Sequence, residues 1–370
     1  MESGGGANRA PSISNRDGMK DLSVVVITRN EQARIGSCLA ACVAALELAK
    51  AGDLVASTEV ILVDSASTDR TIEIAEKFPI SIIKLPAHWP LSAAAGRFVG
   101  LRHATGSFVL FVDGDYVLRP EWLPPAIRTL RKNQDLAAIC GPDIEDLSTN
   151  SLLGMRVKSG VENPEGPLAA IPVGLYRRDL LTKIGGIHPF LRGAEDRDVA
   201  YRLREAGYRL ERTDSIMGVH HWADSGPLDF VTYFRSVLNW SIGDGQIYRI
   251  RREVRGLRVD IRRRYFTVRF LWNYLLGLAL CGLFLLNLTY YVVGPAIPIV
   301  TDAAVLTALL IAILRSRAPR ELLYQLHVIP YSLIRHSGFI IGFLRPPLNP
   351  SRYPVGEAPI GASNGPINAA

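Results

Sequence analysis

The sequence predicts an α/β domain built on a mostly parallel sheet, followed by C-terminal transmembrane helices. Three observations carry that expectation. Short apolar runs alternate with stretches of helical periodicity from residue 23 to residue 132, the pattern of βαβ units. The fourth apolar run, Phe108-Val109-Leu110-Phe111-Val112, ends in Asp113-Gly114-Asp115. Residues 270–301 contain no charged side chain, and as a helix the segment 270–293 is long enough to cross a bilayer.

The elements follow in order. Residues 1–20 are rich in Gly, Ser and Asn without an apolar core, so a disordered start with no signal peptide is expected. Residues 23–28 form a continuous apolar strand, and Ile35, Leu39, Val43 and Leu46 mark a helix over 32–50. A strand over 58–63 ends at Asp64. Ser67, Thr68 and Asp69 then offer caps for a helix running to Phe78. Residues 80–84 make a third strand, 92–104 a helix, 108–112 the fourth strand, and 120–132 a helix with proline in its first turn. Beyond Gly141, residues 169–176 resemble a strand, Gly185-Gly186 marks a turn, and Gly207 stops a short helix over 197–207.

A parallel sheet places ligands at the carboxyl ends of its strands. Those ends carry Thr28-Arg29-Asn30, Asp64 and Asp113-x-Asp115. Residues two apart on a strand point the same way, and two carboxylates that close repel by about 3–4 kcal/mol at an effective dielectric of 20. A divalent cation converts that repulsion into ligation; an acidic turn is the bland alternative. The first βα turn, 28–32, holds no glycine, which excludes a dinucleotide-binding fingerprint, and no P-loop is present. Glu195, Asp196 and Asp198, taken alone, read as helix-dipole partners. Cys38 and Cys42 read as small core residues.

Basicity is local. The chain carries +7 overall, and residues 249–269 alone hold nine Arg against Glu253 and Asp260. The uncharged segment that follows points this patch at anionic membrane lipids rather than nucleic acid. Arg315 and Arg317 close a second apolar segment. The expected layout is a catalytic domain over 21–248, a basic juxtamembrane arm over 249–269, a transmembrane hairpin over 270–314, and an interfacial helix or third span over 315–345. A disordered tail covers 346–370. By the positive-inside rule the catalytic domain lies in the cytosol, on a multi-pass cytoplasmic membrane protein.

Several of these segments together resemble family-two glycosyltransferases of the GT-A fold. Residues 23–30 resemble that family's opening strand, Val63-Asp64-Ser65-Ala66-Ser67-Thr68-Asp69 its nucleotide-binding turn, and Phe111-Val112-Asp113-Gly114-Asp115 its DXD strand. Gly185-Gly186-Ile187-His188-Pro189-Phe190 followed by Glu195-Asp196 resembles its acceptor-side segment. Ala66 stands where the family commonly has Gly, and Phe98 after Arg97 where Asn is usual. The resemblance implies an inverting, metal-dependent transfer from a nucleotide-diphosphate sugar to a saccharide or lipid-linked glycan. It implies Thr28, Asn30, Glu31, Asp64, Arg97 and Asp113 as donor-binding residues, and Asp115, Asp113 and His221 as ligands of Mg²⁺ or Mn²⁺. Asp196 is the implied general base with Glu195 beside it, and Trp222 is available to stack on a sugar. A polyprenyl-phosphate glycosyltransferase is the alternative, although Tyr116-Val117-Leu118-Arg119-Pro120 follows the DXD where those relatives usually have Gln-His-Pro-Pro-like residues. A non-catalytic scaffold on the same fold is disfavoured by the full set of acids.

Overall fold

The computed structural model describes residues 20–146, 170–221, 230–267, 271, 273–279, 281–282, 319–354 and 360–362. Strand β1 (Leu22–Thr28) is buried along its whole length, as a central parallel strand covered on both faces must be. Helix α1 (Ile35–Ala51) follows, then β2 (Thr58–Asp64), α2 (Thr71–Ala75), β3 (Ser81–Lys84), α3 (Ala93–His103) and β4 (Phe108–Asp113). Beyond them lie β5 (Tyr116–Leu118), a 3₁₀ turn at Pro120–Trp122, α4 (Leu123–Lys132), β6 (Leu136–Cys140) and β7 (Asp143–Asp146). The second half adds β8 (Gly174–Arg177), α5 (Arg178–Lys183), α6 (Glu195–Glu205), β9 (Arg209–Arg212) and β10 (Gly218–His221). Helices α7 (Phe230–Ile250), α8 (Arg255–Tyr265) and α9 (Pro319–Leu344) and strand β11 (Ile360–Ala362) complete the described elements.

An eight-stranded sheet runs in the order β11-β3-β2-β1-β4-β8-β6-β9. Strands β3, β2, β1 and β4 are mutually parallel, whereas β8 and β11 enter antiparallel. Register sets the site: Thr28 lies opposite Asp64 on one side, and Ile27 opposite Asp113 on the other. The polar ends of three strands therefore share one edge. A second sheet, β5-β10-β7, continues from the end of β4.

Some expected boundaries move. The helix expected to reach Phe78 closes at Ala75. The strand expected over 169–176 is the shorter Gly174–Arg177, because Tyr176 and Arg177 are paired into the sheet by β4 while 170–173 approach it as irregular chain. Cys38 and Cys42 are fully buried core residues.

Among the described residues no helix is long and apolar enough to cross a membrane; most of the expected hairpin, 270–314, lies outside them. Helix α9, which covers most of the segment expected as an interfacial helix or third span, packs lengthwise on α7. A Cβ on Gly342 would overlap the Ile242 carbonyl, and one on Gly245 the Phe339 carbonyl. Only glycine lets the two backbones touch there, a close approach that small residues permit.

Candidate active site

The edge expected to take the donor is built from two loops stitched together. Asn30 takes φ 57° and accepts a hydrogen bond from the Thr68 amide at 2.8 Å, while its own amide donates to Ser67 Oγ at 2.8 Å. Glu31 and Gln32 donate their amides to Thr71 Oγ1 and Asp69 Oδ2. Asp64, 2% exposed, accepts from the Ser67 amide at 2.9 Å and from the Ser67 hydroxyl. Ala66 has φ 58°, the left-handed region that explains why glycine suits this position. Of the four described non-glycine residues with positive φ, Asn30, Ala66 and Ala194 lie at this site and Asp53 elsewhere. Backbone strain of that kind concentrates where geometry is over-determined.

Asp113 and Asp115 do not act as a symmetric pair. Asp113 ends β4 and is held by Arg97 Nη2 at 2.5 Å. Asp115 follows in a turn, 3.3 Å from His220 Nε2, and its carbonyl accepts from the His221 amide at 2.9 Å. The imidazole presented to Asp115 is thus that of His220, whereas the sequence pointed to His221. Pairing of β10 with β5 places His220 opposite Tyr116, and neighbouring strand residues face opposite ways. Trp222 lies outside the described residues.

Arg97 is expected among the donor-binding groups. Its guanidinium, on a residue 5% exposed, is held between Asp113, Glu195 and the Pro172 carbonyl and so links the two acids. Burial disfavours its charge, but Asp113 and Glu195 outweigh that and hold it firmly protonated. Burial pushes the Glu195 and Asp113 carboxyls up, with Arg97 opposing. Glu31 rises to about 7, through burial first and then the nearby Asp115. For His220, burial favours the neutral ring, yet Asp115 prevails and raises its pKa. Thr28 Oγ1 is buried with no hydrogen-bond partner among the described residues, an unusual state for a hydroxyl.

The side of the cleft expected to take the acceptor is the N-terminus of α6. Ala194, at φ 61°, launches it. Asp196 accepts from the Arg197 amide through Oδ1 at 2.8 Å and, with Arg97, Phe111, Pro172, Tyr176 and Glu195, lines a small cleft. Two supports went unread in the sequence. Arg197 pairs with Asp244 of α7, whose other oxygen accepts from Tyr265 of α8 at 2.8 Å. Asp198, fully buried, is chelated by Arg202 at 2.7 Å and Arg251 at 2.8 Å. Their signal was an acid-rich helix start facing an arginine-rich stretch, without any indication of which pairs form.

Comparison with known proteins fits this geometry. Residues 23–185 match Glycosyl transferase family 2. An uncharacterized glycosyltransferase of Haemophilus influenzae is 26% identical over 155 residues, 39% of this chain and 51% of that protein, so the match spans only about half of it. Glycosyltransferase AglE of Haloferax volcanii is 26% identical over 61% of this chain and 73% of its own length. A poly(ribitol-phosphate) beta-N-acetylglucosaminyltransferase of Staphylococcus aureus is 36% identical, over 29% of this chain and 18% of that protein. The fold matches a mannosyltransferase from Pyrobaculum calidifontis solved with GDP-Man and Mn²⁺, with a TM-score of 0.57 at 18% identity over 90% of each chain. The fold is therefore GT-A-like.

Among the described residues no three His, Cys, Asp or Glu side chains gather into a self-sufficient metal site. Asp115 with His220 offers two donors of opposite type. The carboxylate is what fits a cation, such as Mg²⁺ or Mn²⁺, that takes its remaining positions from phosphates and water.

Proposed function

We propose that this chain is an inverting glycosyltransferase that moves a sugar from a nucleotide-diphosphate donor to a saccharide or lipid-linked glycan hydroxyl. The observation that carries the reading is the buried Asp113–Arg97–Glu195 bridge, which joins the DXD end of β4 directly to the N-terminus of α6 beside Asp196. Donor and acceptor groups thereby share one cleft.

In this reading Thr28, Asn30, Glu31 and Asp64 line the edge that receives the nucleotide. Asp113, fixed by Arg97, hydrogen-bonds the ribose or diphosphate. Asp115 and His220 would hold Mg²⁺ or Mn²⁺, whose charge would neutralise the diphosphate leaving group. Asp196 takes the proton from the attacking hydroxyl, with its Oδ1 steadied by the Arg197 amide. Glu195, paired to Arg97, holds the helix end in place. Attack from the face opposite the leaving group inverts the anomeric carbon.

The arginine-rich stretch and the uncharged segment after it support placement of the catalytic part at the cytosolic face of a membrane. The test is a panel of nucleotide-diphosphate sugars given to the purified full chain with Mn²⁺, reading release of nucleoside diphosphate. Turnover of one donor that stops on chelation is the expected result; no turnover and no binding of any donor would sink the reading.

A further inference from the structure

A groove of about 540 Å³ lies between the C-terminal ends of α7 and α8, lined by Tyr248, Arg262, Arg263, Phe266 and Thr267. It is apart from the cleft described above, and its volume suits a small-molecule headgroup. Its charge is not internally balanced. Arg262 Nε donates to the neutral Tyr248 hydroxyl at 3.3 Å, and Arg258 stands over the Tyr248 ring at 5.7 Å. The neighbouring acid, Asp260, is engaged by Arg264 at 2.9 Å and lies 3.9 Å from Arg197. Hydrogen bonding from Arg262 leads the effects that draw the Tyr248 phenol down, with Arg258 adding to it.

Apolar side chains are exposed close by in the chain and on α9, which packs on Tyr248. Phe266 is 55% exposed, and Leu271, Leu275 and Leu278, spaced for one helix face, are each more than 40% exposed. On α9, Ile340, Ile341 and Leu344 are exposed beside Phe339 and Phe343, which pack on Tyr248. A nucleic acid or acidic protein would leave these aliphatic groups in water. A phospholipid satisfies both halves, because guanidinium pairs bind phosphate in a fork geometry and acyl chains cover the apolar side chains.

We infer that this groove binds the phosphate of an anionic phospholipid at the bilayer surface, with Arg262 and Arg263 as the phosphate ligands and Phe266 at the acyl boundary. The inference rests on the membrane placement proposed above and is independent of the transfer chemistry.

The experiment uses the full chain in nonionic detergent, titrated with dioleoyl phosphatidylglycerol, with bound lipid counted by native mass spectrometry. Phosphatidylglycerol should bind, and phosphatidylcholine should not. Replacing Arg262→Gln and Arg263→Gln together should weaken binding about tenfold or more, given the strength of arginine–phosphate attraction at a membrane surface. The single reversal Arg263→Glu, at an exposed site, should do the same, whereas Arg70→Gln on the far exposed surface should not. Undiminished binding by the paired variant, or equal binding of phosphatidylcholine, would each overturn the inference. Donor turnover in the same preparation and sedimentation of the chain with cell membranes read the two earlier proposals separately.

Discussion

Arg97 and Glu195, 98 positions apart in the chain, form an ion pair in which both residues are 5% exposed. A buried pair is worth little against an apolar replacement of both partners, but removing one partner leaves the other charged and unsolvated. Arg97→Met should therefore destabilise the fold by about 3–5 kcal/mol, leaving Asp113 and Glu195 to repel. Glu195→Gln, which keeps Arg97 paired to Asp113, should cost clearly less. Urea denaturation of the two variants compares them; an equal cost would mean that the bridge is not what joins the halves.

Two acids should separate by kinetic signature. Asp115→Asn removes the carboxylate that faces His220, so donor affinity in the presence of Mn²⁺ and turnover should fall together. Asp196→Asn keeps the cleft's shape and should leave donor affinity near that of the parent while transfer drops about 10²–10⁴-fold, the range for a positioned base. Calorimetry with the donor and a transfer assay read both. Near-normal transfer by Asp196→Asn would make that acid a helix-terminus partner only.

The adjacent histidines give a sharper comparison. His220→Asn should weaken cation-dependent donor binding, and His221→Asn should have the smaller effect, because the His220 ring faces Asp115 while His221 contributes its backbone amide. The reverse order, measured as donor affinity against Mn²⁺ concentration, would return the role to His221.

Two groups with opposite shifts predict how stability follows pH. Glu31, raised from 4.5 to about 7, binds its proton more tightly when folded. Its contribution is full below pH 4.5 and is lost as pH rises through about 7. Glu31→Gln should accordingly stabilise the fold at about pH 8 and leave it nearly unchanged at about pH 4. His188, lowered from 6.5 to about 4 by burial first and then by Arg251, works the other way. Stability from its neutral ring is present above pH 6.5 and lost as pH falls through about 4. Urea melts of Glu31→Gln and His188→Asn across this range should show the two slopes vanish one at a time.

What could be read from the chain alone follows from where the information resides. The four parallel strands were legible because strands buried on both faces are continuous apolar runs, and their ends named the polar edge. Strand β9, Arg-Leu-Glu-Arg, is hidden because it carries almost no apolar signal. Strand β6, Leu-Ala-Ala-Ile-Cys, suits a helix as well as a strand. The acids of the site were visible; their partners were not. Whether Glu195 meets solvent or Arg97 depends on a contact across 98 residues, and whether His220 or His221 faces Asp115 depends on the pairing phase of β10, which its partner strands set.

Gly193, one residue before the turn that launches α6, touches the backbone of α7 at Gly243, and α7 in turn touches α9 at Ile242 and Gly342. No side chain cushions either contact, so there is no soft layer to absorb a displacement. The backbones of α9, α7 and the chain just ahead of Asp196 thus stand in a direct line of close contacts. The start of α6 is in this sense mounted on the outer helices like a tool on a rigid arm, and whatever steadies those helices also steadies Asp196.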